Sequence, residues 1–182
     1  MIREVPIPGA EDFDDVESLL ALAASPGIRP GLERVRRLLE LLGNPQDDYP
    51  ALHVVGTNGK GSTCAFLESV LRAAGYRTAF YSSPHLENPG ERLLIAGRPL
   101  AADRWMAAVQ KTVDAVRGDS SLEADPPSYF EMVTAAAFCL ASEERADVAV
   151  VEAGLGGRLD ATNLLGDVVC SVVASISRDH SE

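Results

Sequence analysis

The apolar positions of the chain alternate between two periods. Phe13, Val16, Leu19 and Leu20 follow Asp12 at helical spacing and predict a short first helix. In "GLERVRRLLELLGNP", Leu32, Val35, Leu38, Leu39 and Leu42 form one stripe, and Gly43 followed by Pro45 stops it. "ALHVV" then reads as a strand. Cys64, Leu67, Val70, Leu71 and Ala74 return to helical spacing and predict a helix over 61–74 that ends at Gly75. "YRTAFYSS" is the next strand, and "ENPGERLLIAGRPL" a small hairpin lying off the main sheet.

Asp103 opens a helix carrying Trp105, Met106, Val109, Val113 and Val116. Residues 118–127, "GDSSLEADPP", are polar, acidic and proline-terminated, and read as a linker. Ser128 and Glu131 have the spacing of a capping box ahead of the helix "MVTAAAFCLASEE". "DVAVVEA" and "DVVCSVVASIS" are continuous apolar runs, the pattern of parallel strands covered on both faces. Strand and helix alternate without an internal repeat. The fold class is therefore α/β, a mostly parallel sheet flanked by helices with right-handed connections.

Composition narrows the partners. At 182 residues, 46% hydrophobic and 24% charged, the chain is long and apolar enough for one domain with a core. A formal net charge of −11 argues against a nucleic-acid partner, which would require a basic face. The first residues show neither a signal nor a transit peptide, and no window suits a membrane span. Cys64, Cys139 and Cys170 are odd in number and far apart in apolar surroundings, as expected of buried thiols in a reducing cytoplasm. The oligomeric state is not encoded in any of these features.

The candidate chemistry begins in "VVGTNGKGST". A strand, a glycine-rich loop, a lysine, a hydroxyl and a helix follow one another, the order that aims backbone N–H groups at a phosphate. Gly56, Gly59 and Gly61 admit close approach, Lys60 supplies a point charge, and Ser62 or Thr63 caps the helix or meets Mg²⁺. The fit to a Walker loop is incomplete, since Val54 stands at the leading glycine and Gly61 separates Lys60 from Ser62. A glycine-rich strand-to-helix turn with a solvated lysine is the competing reading.

In "VVEAGLGGRLDATN", Glu152 ends a buried strand at the edge where ligands sit in open α/β sheets, and a carboxylate there can hold Mg²⁺. A solvated strand-end glutamate is the alternative. Ser83 ends another strand and can present a hydroxyl at that edge, though alone it reads only as a turn. His180 follows the last apolar strand and would reach the same edge, with a surface or hydrogen-bonded histidine as the alternative.

These segments, in this order, resemble folylpolyglutamate synthase and dihydrofolate synthase, members of the Mur ligase superfamily. "GLERVRRLLELLGNP", "HVVGTNGKGSTCAFLESVLRAAGYRTAFYSSPHL", "ERLLIAGRPL", "SYFEMVTAAAFCLA" and "VVEAGLGGRLDATN" carry the likeness from about residue 15 onward. The resemblance implies an ATP-dependent amide ligase that joins L-glutamate to dihydropteroate or a folate through an acyl phosphate. It implies ATP binding by Gly56, Thr57, Asn58, Gly59, Lys60, Gly61 and Ser62, and magnesium at Ser83, Glu152 and His180, with Lys60, Glu152 and His180 serving catalysis. It also implies acceptor contacts from Gly27, Ile28, Arg29, Pro30, Ser128, Leu159, Asp160 and Ala161. Arg178 departs from the pattern by placing a bulky cation before the Asp179–His180 pair.

The family's chains continue past this point, so the resemblance implies an amino-terminal ATP-binding domain over 1–182 with the glutamate-binding domain absent. An open sheet edge and inactivity in isolation are then expected. A non-catalytic Mg·ATP-binding or partner-binding module and a Mur-type ligase with another carboxylate acceptor are the alternatives to the folate ligase.

Overall fold

The computed structural model describes residues 12–27 and 29–177. A six-stranded sheet has the order β4-β3-β2-β5-β1-β6, formed by β1 (Ala51–Val55), β2 (Thr78–Tyr81), β3 (Leu93–Ile95), β4 (Arg98–Pro99), β5 (Val148–Glu152) and β6 (Val168–Val173). β2, β5, β1 and β6 run parallel, whereas β3 and β4 extend the sheet antiparallel to β2. The predicted hairpin is therefore part of the main sheet. Ala79, Phe80 and Tyr81 pair with Ile95, Leu94 and Leu93, using backbone groups that β2 would otherwise leave bare at its edge.

Among the described residues, six α-helices complete the layers: α1 (Phe13–Ala23), α2 (Glu33–Leu41), α3 (Lys60–Ala73), α4 (Ala102–Arg117), α5 (Ser120–Ala124) and α6 (Tyr129–Glu143). α1 starts where expected, with the Asp12 carboxylate accepting from the Asp14 N–H at 2.9 Å. α5 lies inside the stretch read as a linker. Asp119 caps it through the N–H groups of Ser121 and Leu122, and Leu122 anchors it in the core, which short polar flanks concealed in the sequence. α6 begins with the anticipated capping box, the Ser128 N–H donating to Glu131 Oε2 at 2.7 Å.

The side chains of one sheet face, among them Ala51, Tyr81, Ala149 and Val151, meet α1, α2, α4 and α6 in a single large core that contains Leu38, Trp105, Met132 and Leu140. The opposite face is thin. Val54, Val150 and Cys64 form a small cluster beneath α3, lined by Leu67, Leu71, Phe80 and Val172. Val70, placed by spacing on the buried stripe of α3, is instead 68% exposed, and Phe66 is 75% exposed. β5 is buried along its whole length, as its apolar run predicts. β6 is not: it is the sheet's edge strand with Val169 and Val173 in solvent, so only one of the two continuous apolar runs is covered. Cys170 is exposed with it, against the expectation of three buried thiols, while Cys64 and Cys139 are buried and none is disulfide-bonded. Among the described residues no helix is long and apolar enough to cross a membrane.

Candidate functional site

The parallel strands carry three loops to one rim of the sheet. β1 runs into the glycine loop and then α3, β2 into Ser82, Ser83 and the cis Ser83–Pro84 bond, and β5 through Glu152 into residues 153–160. This carboxyl edge is where an open α/β sheet leaves a crevice.

In the glycine loop, Gly59 is the N-cap of α3 and has φ +81°, a left-handed conformation that a Cβ would strain. Gly56 has φ +139°, and a Cβ there would lie 3.1 Å from the Ala174 Cβ. The segment after β6 thus presses against the loop. It also consumes part of the expected phosphate cradle: the Thr57 and Asn58 N–H groups both donate to the Ser175 carbonyl, at 2.8 and 3.3 Å. Thr57 Oγ1 donates to the Ser177 carbonyl at 3.1 Å. Thr57 and Asn58 therefore brace the loop, and the amides left for an anion are those of the first turn of α3, beginning at Lys60.

Lys60 Nζ donates to the Thr57 carbonyl at 3.2 Å, closing the loop on itself. Neither hydroxyl caps α3. Thr63 Oγ1 donates back to the Gly59 carbonyl at 2.8 Å, and Ser62 is exposed beside it. The expected hydroxyl cap fails because the helix begins one residue earlier than predicted, with a glycine at the cap.

Glu152 is buried at the end of β5 and faces α3, its oxygens 3.4 and 3.5 Å from where a Cβ on Gly61 would sit. Gly61, the residue that interrupts the Walker pattern, is thus the helix-start residue that the carboxylate lies against. Burial raises the Glu152 pKa above the usual carboxylate range, opposed by the Ser83 N–H at 3.4 Å, by the Lys60 charge and by the Gly61 N–H. A buried anion so weakly compensated is suited to a cation. Ser83, whose N–H makes that contact, is a neighbouring hydroxyl-bearing residue, and carboxylate plus hydroxyl, with water completing the shell, matches the preference of Mg²⁺ for oxygen ligands. Among the described residues no three His, Cys, Asp or Glu side chains gather into a metal cluster. His180 and Ile28, both site residues by resemblance, lie outside the described residues.

Two cavities open on this rim. One, of about 290 Å³, is lined by Val55, Gly56, Thr57, Lys60, Gly156 and Ile176 among others. The second, of about 410 Å³, brings together Gly27, Arg29, Pro30, Ser83, Ser128, Leu159, Asp160 and Ala161. These include every described residue that the resemblance assigned to the acceptor. Gly154 and Leu155 line both cavities and form their common wall.

The polar groups of the larger cavity are unevenly satisfied. Asp160 is spent on its own loop, accepting from the Leu155 N–H at 2.7 Å, the Thr162 N–H at 3.0 Å and the Thr162 hydroxyl at 2.6 Å. Ser128 is held by its capping box, and Arg29 pairs with Asp125 at 2.5 Å. Arg92 and Glu131, which the motif reading passed over, behave differently. Arg92 Nε donates to His85 Nδ1 at 2.8 Å and its guanidinium lies over Tyr129, yet Nη1 is buried without a partner. Glu131 Oε2 takes the Ser128 N–H and Arg34, leaving Oε1 buried and unpaired. A buried donor and a buried acceptor that both lack partners favour a ligand with polar edges. The sequence signal for Arg92 was its charge immediately before an apolar strand; for Glu131, the capping box supplied a sufficient structural role.

No protein-family model matches the chain. Over 169 residues, 92% of the chain, it is 37% identical to the dihydrofolate synthase/folylpolyglutamate synthase of Bacillus subtilis and covers 39% of that protein. It superposes with a TM-score of 0.85 and 40% identity on the Escherichia coli FolC in complex with DHPP and ADP, covering 97% of this chain and 41% of that one. A bifunctional folylpolyglutamate synthase/dihydrofolate synthase with Mn, AMPPNP and L-glutamate bound matches with a TM-score of 0.80 and 38% identity over 96% of this chain and 41% of that one. The chain thus spans about two fifths of the length of the relatives it matches and corresponds to their amino-terminal portion.

Proposed function

We infer that the chain is the ATP-handling, acceptor-binding portion of a ligase of the dihydrofolate synthase/folylpolyglutamate synthase type, which adds L-glutamate to dihydropteroate or a folate. The observation that carries this reading is the shared wall: a phosphate loop and an apolar cleft of about 410 Å³ meet at Gly154 and Leu155, beside Glu152. A triphosphate end and a carboxylate-bearing acceptor bound on either side of one turn are placed for phosphoryl transfer.

The acceptor carboxylate attacks the γ-phosphorus of ATP, ADP leaves, and an acyl phosphate results. The glutamate amine then attacks the acyl carbon and expels inorganic phosphate, losing its proton. Lys60 and the first amides of α3 offset the negative charge on the phosphates. Glu152 and Ser83 are the described residues that would hold magnesium, which would supply positive charge against the phosphates. Arg92 Nη1 and Glu131 Oε1 are the groups free to read the polar edge of a pterin ring, with Phe130 and Leu159 along its apolar faces.

We assign residues 1–182 to one ATP-binding domain and the glutamate site to the remainder of the longer protein. Unpaired Cys64, Cys139 and Cys170 support a cytoplasmic location.

Isothermal titration of the chain with Mg·ADP and with dihydropteroate tests the assignment. Binding of both is expected; binding of neither would overturn it. With the full-length protein, ATP and glutamate, phosphate release on dihydropteroate or tetrahydrofolate is expected. Release only on a muramoyl acceptor would move the protein to peptidoglycan chemistry.

A further inference from the structure

His53 lies in β1, three residues before the phosphate loop, and it is buried at 4% exposure on the face of the sheet opposite Val54. Its Nε2 is 2.8 Å from Thr162 Oγ1, and that hydroxyl is 2.6 Å from Asp160 Oδ1. The hydroxyl has one proton. An ionised carboxylate can only accept, so the Thr162 proton points at Asp160 and the oxygen must accept from His53. This fixes the neutral imidazole as its Nε2–H tautomer. Burial keeps the ring neutral by lowering its pKa, opposed by the Asp160 charge.

The relay ends where the two cavities meet. Asp160 Oδ2 receives the Leu155 N–H at 2.7 Å, and Leu155 lines both cavities. The other bonds inside the turn, Asp160 N–H to the Gly157 carbonyl, Asn163 N–H to the Asp160 carbonyl, Asn163 Nδ2 to the Arg158 carbonyl and Thr162 N–H to Asp160 Oδ1, join the loop to itself. His53 joins it to the central sheet.

We propose that His53 is a positioning residue: by donating through the Thr162 hydroxyl to Asp160 it fixes the Leu155 turn, so ligand binding on both sides of that turn depends on one buried imidazole. The functional half of this inference rests on the reading of the two cavities given above; the structural half does not. Because β1 also feeds the glycine loop, the same strand sets the position of both the phosphate loop and the wall facing it.

The test uses the chain with four substitutions: His53→Leu, His53→Gln, Thr162→Val and Thr162→Ser. A glutamine amide can place a donor where Nε2 stood, and serine keeps the hydroxyl. In the parent chain, side-chain ¹⁵N shifts are expected to report the Nε2–H tautomer of His53. Amide hydrogen exchange at Leu155 is expected to speed up about tenfold in His53→Leu and Thr162→Val, the equivalent of one net hydrogen bond, and to stay near parental in the two conservative variants. Mg·ADP and dihydropteroate should weaken together, by similar factors, in the two disruptive variants, and recover in the conservative ones.

An Nδ1–H tautomer, unchanged exchange at Leu155 in His53→Leu, or weakening of one ligand alone would overturn the proposal. If His53→Leu and Thr162→Val do not fold, the parental tautomer and the retention of exchange and binding in His53→Gln and Thr162→Ser decide it: loss in either conservative variant counts against it. A parent chain that binds neither ligand would refute the functional reading, while the tautomer and exchange results would still judge the relay.

Discussion

On one face of the sheet, Leu38, Trp105, Met132 and Leu140 are sealed under four helices; on the other, the buried apolar cluster at α3 is Val54, Cys64 and Val150, with Phe66 and Val70 facing solvent. The groups assigned to phosphate and metal, Lys60, Gly61 and Glu152, belong to the thin side, where α3 starts over the end of β5. The large core therefore sets stability, and the thin side presents helix-start amides and a buried carboxylate without dense packing around them. Separating the two lets a charged site be built at a rim while the cost of burying Glu152 is carried by a core it does not touch.

The largest effect that would break this division is in the core. Leu140 is fully buried, and Leu140→Ala is expected to cost about 2–5 kcal/mol in chemical denaturation, from the forfeited transfer free energy and the cavity left behind. Mg·ADP affinity should follow only through the folded fraction. Lys60→Ala is the converse. Its ammonium makes one bond, to the Thr57 carbonyl, so the unfolding midpoint should hardly move. Nucleotide affinity should fall about a hundredfold, roughly 2.7 kcal/mol, as expected when a charge-assisted hydrogen bond is removed from a desolvated phosphate site. A collapse of the fold instead would show that Lys60 is structural.

How much of this was readable from residues alone differs between the two faces for the same reason. The α4 stripe and the capping box at Ser128 were legible, because a helix between sheet and solvent must bury its apolar side and satisfy its first amides. The stripe on α3 was only partly right: Cys64, Leu67 and Leu71 pack on the sheet, but Val70 and Ala74, at the same spacing, face solvent, because periodicity reports amphipathicity and not how far a partner surface extends. β6 failed likewise, its apolar run standing at an edge. At the candidate site, Lys60, Ser83, Glu152 and the residues assigned to the acceptor lie in motifs legible in the sequence, and the fold gathers those motifs at one rim. Arg92, Glu131 and His53 were not, since an unpaired buried atom or a side-chain relay across 109 residues leaves no local pattern.

Glu152→Gln sharpens the comparison at a smaller scale. Because burial raises the folded pKa of Glu152 above its ordinary 4.5, the protonated form favours the folded state. That contribution is fully present below pH 4.5 and is lost as pH rises through the higher folded value. The neutral amide should therefore leave the metal-free chain as stable as the parent at pH 7, or more so by the order of 1 kcal/mol, the scale of one buried polar group. The stabilisation that millimolar Mg·ADP gives the parent should shrink in the variant. Thermal melts at pH 5 and pH 7, with and without the nucleotide, read both effects. A variant that is less stable at pH 7 without ligand would show that the carboxylate is already compensated by Lys60 and the surrounding amides.

The smallest predicted effect tests the thin face directly. Phe66 is 75% exposed, so Phe66→Ser removes little surface from contact with protein and should change stability by less than about 0.5 kcal/mol. Nucleotide affinity should not change either, because Phe66 lies nearly two helical turns beyond Lys60, away from the first amides of α3. What should change is association: Phe66, Val70 and the solvent-facing valines of β6 expose apolar side chains on a sheet whose described edge strand is open on its outer side, the combination that promotes contact between copies. Static light scattering of the chain is expected to show less self-association for Phe66→Ser than for the parent. A drop in stability comparable to that of Leu140→Ala would mean that Phe66 belongs to a packed layer, and that the two faces of the sheet are more alike than their burial suggests.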